Sequence, residues 1–146
     1  MANFKPNSIG EGCSMKIRLK DGRTAAIVHR SADWKQGLDF ITNDEDFIQV
    51  GTWWYDQGKS LDKHFHNIAE RSTDVTTECV YVVAGSMEVS ICEYDGALVD
   101  RFILYAGDLC TILCGAHSYD ILSDGTKILE TKNGPFLGLN LDKTRI

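Results

Sequence analysis

Proline is nearly absent, with two residues in 146, and no apolar run approaches the roughly 18 residues that a membrane-spanning helix needs. The opening Met1-Ala2-Asn3-Phe4-Lys5-Pro6 lacks the apolar stretch of a signal peptide. Basic residues are scattered: 15 Lys and Arg stand against 21 Asp and Glu, for a net charge of −6. No basic stripe marks a nucleic-acid or anionic-membrane surface. The five cysteines, Cys13, Cys79, Cys92, Cys110 and Cys114, are odd in number and contain no Cys-x-x-Cys, which points to reduced thiols in the cytoplasm. Repeats, low-complexity tracts and linkers are missing too. What remains is an ordinary globular composition, 43% hydrophobic and 25% charged, long enough for one domain with a real core.

Turn signals recur along the chain. Asp21-Gly22 separates Met15–Lys20 from Arg23–His29, Asp95-Gly96 separates Met87–Tyr94 from Ala97–Tyr105, and Asp124-Gly125 separates Ser118–Leu122 from Thr126–Thr131. Asp-Gly between β-rich runs predicts hairpins closed by type I′ turns, in which both central residues take positive φ. Phe47–Tyr55 and Glu78–Val83, rich in β-branched and aromatic residues, read as further strands. Helix signals are confined to Ser31–Gly37 and Asn67–Arg71. Many short strands with regular turns predict an all-β sandwich or barrel over residues 13–146, after an N-terminal arm of residues 1–12 that is loose or docks on a neighbour.

Three of the four histidines suggest a site. On an extended strand residues i and i+2 share a face, so His64 and His66 project together while Phe65 turns away. His117, on a later strand, adds a third imidazole, and neutral imidazoles suit Zn, Cu, Fe and Ni. His29 matches no motif and reads as a strand or surface residue. Asp108, after Gly107, reads as a turn residue whose carboxylate caps nearby backbone N–H groups.

The spacings Gly58-x5-His64-x-His66, Glu78-x6-Gly85 and Gly107-x9-His117 resemble the two signature motifs of the cupin superfamily, over roughly Trp53–Leu122. The resemblance implies a double-stranded β-helix, a jelly-roll-like barrel with little helix, usually a homodimer, holding one divalent metal ion. Carried onto this chain, the ligands are His64, His66, Glu78 and His117. The tail, from Lys132-x-Gly134-Pro135-Phe136 to Asp142-Lys143-x-Arg145-Ile146, is similar to that of small bacterial cupins, some found among surface-polysaccharide genes.

The chain also departs from the motifs. Eleven residues, Asn67–Thr77, separate His66 from Glu78, and the family places its Glu much closer to the second His. Glu70 meets that spacing. Glu78 meets the spacing to the following glycine and is preferred, because it opens the apolar run Glu78-Cys79-Val80-Tyr81-Val82-Val83. That strand is expected beside the His64 strand, antiparallel, with Glu78, Val80 and Val82 inward. Leu113 stands where the family has proline, Cys114-Gly115-Ala116-His117 is one residue short, and Ile121 replaces a common Asn.

A divalent Fe, Mn, Ni or Zn ion with three imidazoles and a carboxylate keeps about one or two positions open for water or substrate. There it polarises a carbonyl, acidifies a water or, as Fe(II), binds O2. The expected function is an enzyme that oxygenates, isomerises or epimerises a small polar or anionic metabolite. Glu93, by parity with Met87 and Val89, and Tyr119, by parity with His117, are the candidate proton movers, while Tyr81 alternates with Glu78 and points out. Trp53 or Trp54, Val80, Val82, Met87 and Val89 supply apolar walls, with Trp53 a candidate substrate contact. Arg71, in the loop at the barrel mouth, is a clamp for a carboxylate or phosphate, or else a solvated surface residue. Two further functions stay open: a non-catalytic metal- or small-ligand-binding module, and a metal-free sugar-nucleotide isomerase using the His pair as acid and base. The expected partners are a small-molecule substrate and a second copy of the chain, with no nucleic acid and no membrane.

Overall fold

The computed structural model describes residues 14–146; the expected N-terminal arm lies outside the described residues. Strand β1 (Met15–Arg18) turns into β2 (Thr24–His29), and β3 (Gly37–Phe40) pairs with β4 (Gly51–Trp54). After a long stretch without strands come β5 (Glu78–Ala84), β6 (Ser86–Cys92), β7 (Leu98–Tyr105), β8 (Leu109–Ile112), β9 (Ala116–Ile121) and β10 (Lys127–Lys132). Among the described residues helix is limited to one 3-10 turn at Ser31–Asp33 and one short helix, α1 (Leu139–Asp142). The expected helical turn at Asn67–Arg71 is absent. Among the described residues no helix is long and apolar enough to cross a membrane.

The turns differ from the expected type. Only glycines take positive φ among the described residues, including Gly22 at 87° and Gly96 at 89°. Gly22 N–H donates to Leu19 O at 2.9 Å and Leu19 N–H to Arg23 O at 3.0 Å; Gly96 and Glu93 repeat the pattern, at 3.0 Å to Glu93 O and 2.9 Å to Ala97 O. Each loop is therefore one residue longer than a type I′ turn and ends on a left-handed glycine. The ladders take up the extra residue as register shifts, at Ile17/Arg18 and at Ile91/Cys92.

Among the described residues all strand pairs are antiparallel and fall into three sheets: β1-β2-β8-β5-β10, β7-β6-β9, and the β3-β4 ribbon. Asp124-Gly125 closes no hairpin, because β9 and β10 belong to different sheets. The chain also changes sheet at Gly85, between β5 and β6. A β-carbon on Gly85, whose φ is 78°, would sit 2.8 Å from Thr126 Cα, so the crossing requires glycine. The fold is thus all-β, but among the described residues the sheets end on the edges β1, β10, β7 and β9 and no closed barrel forms.

The five- and three-stranded sheets share one core. Val28, Val80, Val82, Cys110 and Ile112 of the larger sheet pack with Met87, Val89, Ile91 and Leu104 of the smaller. Each such side chain, fully buried, is worth roughly 1.5–3 kcal/mol. The alternate residues on the other face of the larger sheet, Cys79, Tyr81 and Leu109, are covered by Ile41, Ile48 and Val50. Burial on both faces explains why β2 and β8 carry little polar alternation.

Candidate catalytic site

Glu78 opens β5, paired with Ile112 on β8 and Lys132 on β10. Strand parity turns Glu78, Val80 and Val82 toward the shared core and Tyr81 to the opposite face, as the sequence predicts. On the facing sheet, β9 sets His117 opposite Ile91 and Tyr119 opposite Val89 on β6. Two residues apart on one strand, His117 and Tyr119 share a face, and their rings lie 5.3 Å apart.

The three side chains meet between the sheets. His117 Nε2 lies 2.9 Å from Glu78 Oε1, and Tyr119 OH donates to the same oxygen at 2.5 Å. Glu78 is buried, its side chain 7% exposed. Burial alone would raise its pKa, but hydrogen bonds from His117 and Tyr119, with the charge of Lys143 and, when its ring is protonated, of His117, outweigh that and hold the carboxyl at about 2. Tyr119 is pushed well above the usual phenol range, first by burial and then by the carboxylate it donates to. Because an ionised carboxylate only accepts, Nε2 carries the proton of His117. In the neutral ring Nδ1 then keeps its lone pair, and Nδ1 is buried with no partner among the described residues.

The structure places the other expected site residues elsewhere. His64 and His66 lie on the exposed stretch between β4 and β5, not on a strand. Their rings are 5.4 Å apart, edge to face, with His64 Nδ1 hydrogen-bonded to Asp62 O at 2.9 Å. No strand there exists to pair with β5, whose partners are β8 and β10. The segment around them, Asp56-Gln57-Gly58-Lys59-Ser60-Leu61-Asp62-Lys63, is too polar to line a core face. Glu70 is also exposed on this stretch. Among the described residues no group of three or more His, Cys, Asp or Glu is arranged to hold a metal. The carboxylate and imidazole of Glu78 and His117 have suitable donor chemistry for a divalent ion, but the four-ligand set is not assembled.

Glu93 is not at the site. It lies beyond the bulge that ends β6, in the turn, where its Oε1 accepts from Lys20 N–H at 2.8 Å. Arg71 donates to Ala69 O at 3.4 Å and borders a shallow cavity of about 310 Å³ with Asp44, Glu45 and Asp46, acidic surroundings that disfavour an anion. Trp53 is 55% exposed, opposite Leu38 on the β3-β4 ribbon, and Trp54 is exposed as well. Neither forms a wall of the site, because their ribbon is a separate sheet.

Two residues carry more than the sequence suggests. Lys143, in the tail, reaches the field of Glu78, a proximity that no local pattern signals. His29 is fully buried on β2, with Nδ1 2.8 Å from Ser14 Oγ and Nε2 without a partner among the described residues. Its signal was the unbroken apolar run Ala25-Ala26-Ile27-Val28 before it, which marks a strand buried on both faces.

No family model matches the chain, and no curated protein and no solved structure matches it either.

Proposed function

We propose that the chain is an enzyme of cupin type that moves a proton on a small polar or anionic metabolite, as an isomerase or epimerase, with its chemistry at Glu78, His117 and Tyr119. One observation carries this: an ionised carboxylate from one sheet meets an imidazole and a phenol from the other inside an otherwise apolar sandwich. Apolar side chains of similar volume would fill that space at lower cost, since buried charge must be desolvated and then fully paired.

In this role His117 is the base. Glu78 holds the proton on Nε2, aims Nδ1, and stabilises the imidazolium that forms when Nδ1 takes a proton from substrate. Tyr119 stays a phenol at neutral pH and acts as a positioning residue, fixing the carboxylate. A divalent ion, when bound, would supply Lewis acidity toward a substrate oxygen; the resemblance implies Glu78, His117, His64 and His66 as its ligands, and Nδ1, the one free lone pair of His117, would then hold the ion instead of taking the proton.

The test is solvent exchange. Wild-type protein, metal-loaded and metal-free, is incubated in D2O with a panel of sugar nucleotides and small hydroxy and keto acids, and deuterium entering C–H positions is read by NMR. Exchange on one class, lost in His117→Ala, is the expected result. No exchange across the panel in either form overturns the proposal.

A further inference from the structure

The end of the sandwich that holds Glu78, His117 and Tyr119 is crossed by the C-terminal segment. That segment leaves β10 at Lys132, the residue paired with Glu78. Asn133 ties it to the start of β5: its Oδ1 accepts from Thr77 N–H at 2.7 Å and its Nδ2 donates to Val75 O at 3.1 Å. The chain then folds back so that Asp142, its side chain 9% exposed, lies 3.6 Å from Lys132 Nζ. Beyond it Lys143 sits near enough to Glu78 to favour the charged carboxylate. The last residue reaches the other sheet, since a β-carbon on Gly96, in the β6–β7 turn, would lie 3.4 Å from Ile146 Cδ1. Residues 133–146 therefore run from one sheet to the other across the end where the three polar side chains meet.

Little holds this crossing down. α1 buries no residue, and Phe136, Leu137, Leu139, Leu141 and Ile146 are all exposed. Segments with few buried apolar contacts open at low free energy while the rest of a domain stays folded. His117 Nδ1 is buried, so a substrate reaches it only after something moves.

We infer that residues 133–146 form a strap that opens and closes over Glu78, His117 and Tyr119, latched by Lys132–Asp142 at one sheet and by Ile146 against Gly96 at the other. The strap takes its purpose from the proposed catalytic role of His117, but its position rests on contacts that involve no substrate. Closed, it excludes water; open, it admits the substrate.

The experiment is histidine modification by diethyl pyrocarbonate, followed residue by residue with peptide mass spectrometry on the full chain. A chelator is present throughout so that no bound ion masks the rings. The other histidines are internal references: His64 and His66 are exposed, and His29 is fully buried. Two variants release the latches separately, Asp142→Asn and Ile146→Asp, the second at an exposed position. Loss of a latch should raise the rate at His117 by about fivefold or more, as expected for a locally opening segment, with His29 still slow and His64 and His66 unchanged. An unchanged His117 rate in both variants overturns the strap. So does a rise at His117 matched by His29, because opening would then be global. Neither result depends on turnover, so the strap and the catalytic role of His117 fail separately.

Discussion

Glu78 Oε1 lies 2.9 Å from His117 Nε2, although Glu78 opens a strand of the five-stranded sheet and His117 stands on a strand of the three-stranded one. The pair, with Tyr119 on the same oxygen, fastens the two sheets together at one end of their shared core. Its energetics follow from the asymmetry of buried polar groups: a complete set contributes modestly, whereas an incomplete one is costly.

Removing one member should therefore cost more than removing all three. Tyr119→Phe is expected to lose about 1.5–3 kcal/mol, the range for a hydrogen bond to a charged group, and His117→Ala about 3–5 kcal/mol by leaving a buried carboxylate without its partner. The triple variant Glu78→Leu/His117→Leu/Tyr119→Phe should be more stable than His117→Ala. Urea unfolding of the four proteins checks this, and a triple variant less stable than His117→Ala would contradict it.

Metal content distinguishes Glu78 from Glu70 and separates the interior pair from the exposed one. Elemental mass spectrometry of the untagged protein should find about one equivalent of Fe, Mn, Ni or Zn, lost in His117→Ala and Glu78→Gln and kept in Glu70→Gln. His64→Ala/His66→Ala loses the metal as well if the exposed segment closes over Glu78. Retention in that double variant would confine the site to the interior residues.

His29 makes stability depend on pH in a defined direction. Burial, the largest influence, disfavours its imidazolium and holds its folded-state pKa below the ordinary value, despite the opposing charges of Asp33, Asp39 and Asp108. The unfolded chain therefore takes up the proton first as pH falls, so this contribution is complete above about pH 6.5 and is lost progressively below it. His29→Gln should flatten the fall in urea midpoint between about pH 7 and pH 5. An equally steep fall in the variant would remove His29 as its source.

Asp108 is the turn residue that the sequence predicts, and it does more than cap. Its carboxylate, almost fully buried, accepts from Ser31 N–H at 2.8 Å, Tyr105 N–H at 3.1 Å and Arg30 Nη1 at 2.9 Å. Asp108→Ala leaves these donors short of a partner and should cost about 3–5 kcal/mol, with Asp108→Asn in between. Thermal unfolding measures the order, and a near-neutral Asp108→Ala would refute the anchoring role.

Local chemistry made most strands legible. The β-rich runs fall on β1, β2, β5, β6, β7, β9 and β10 within a few residues, because β-branched and aromatic alternation and Asp-Gly turns act over short stretches of chain. The parity of Glu78, Val80 and Val82 against Tyr81, and of His117 with Tyr119, follows from the two-residue period of any strand. β3 and β8 were not legible. β8, Leu109-Cys110-Thr111-Ile112, is a short run buried on both faces and lacks the alternation that would mark it.

What the sequence determined by itself is the all-β class, most of the strand positions and, within an unbroken strand, which side chains share a face. Tertiary structure decided which strands pair, where the chain changes sheet, and which of the candidate residues meet. His64 and His66 share a motif spacing with a metal site, but spacing brings them to Glu78 only if their segment joins a ladder. In this fold the ladder positions beside β5 are taken by β8 and β10, so the segment stays outside, while Glu78, His117 and Tyr119 are joined by two sheets closing on one core. Pairing of that kind depends on contacts distant along the chain, which no local pattern encodes.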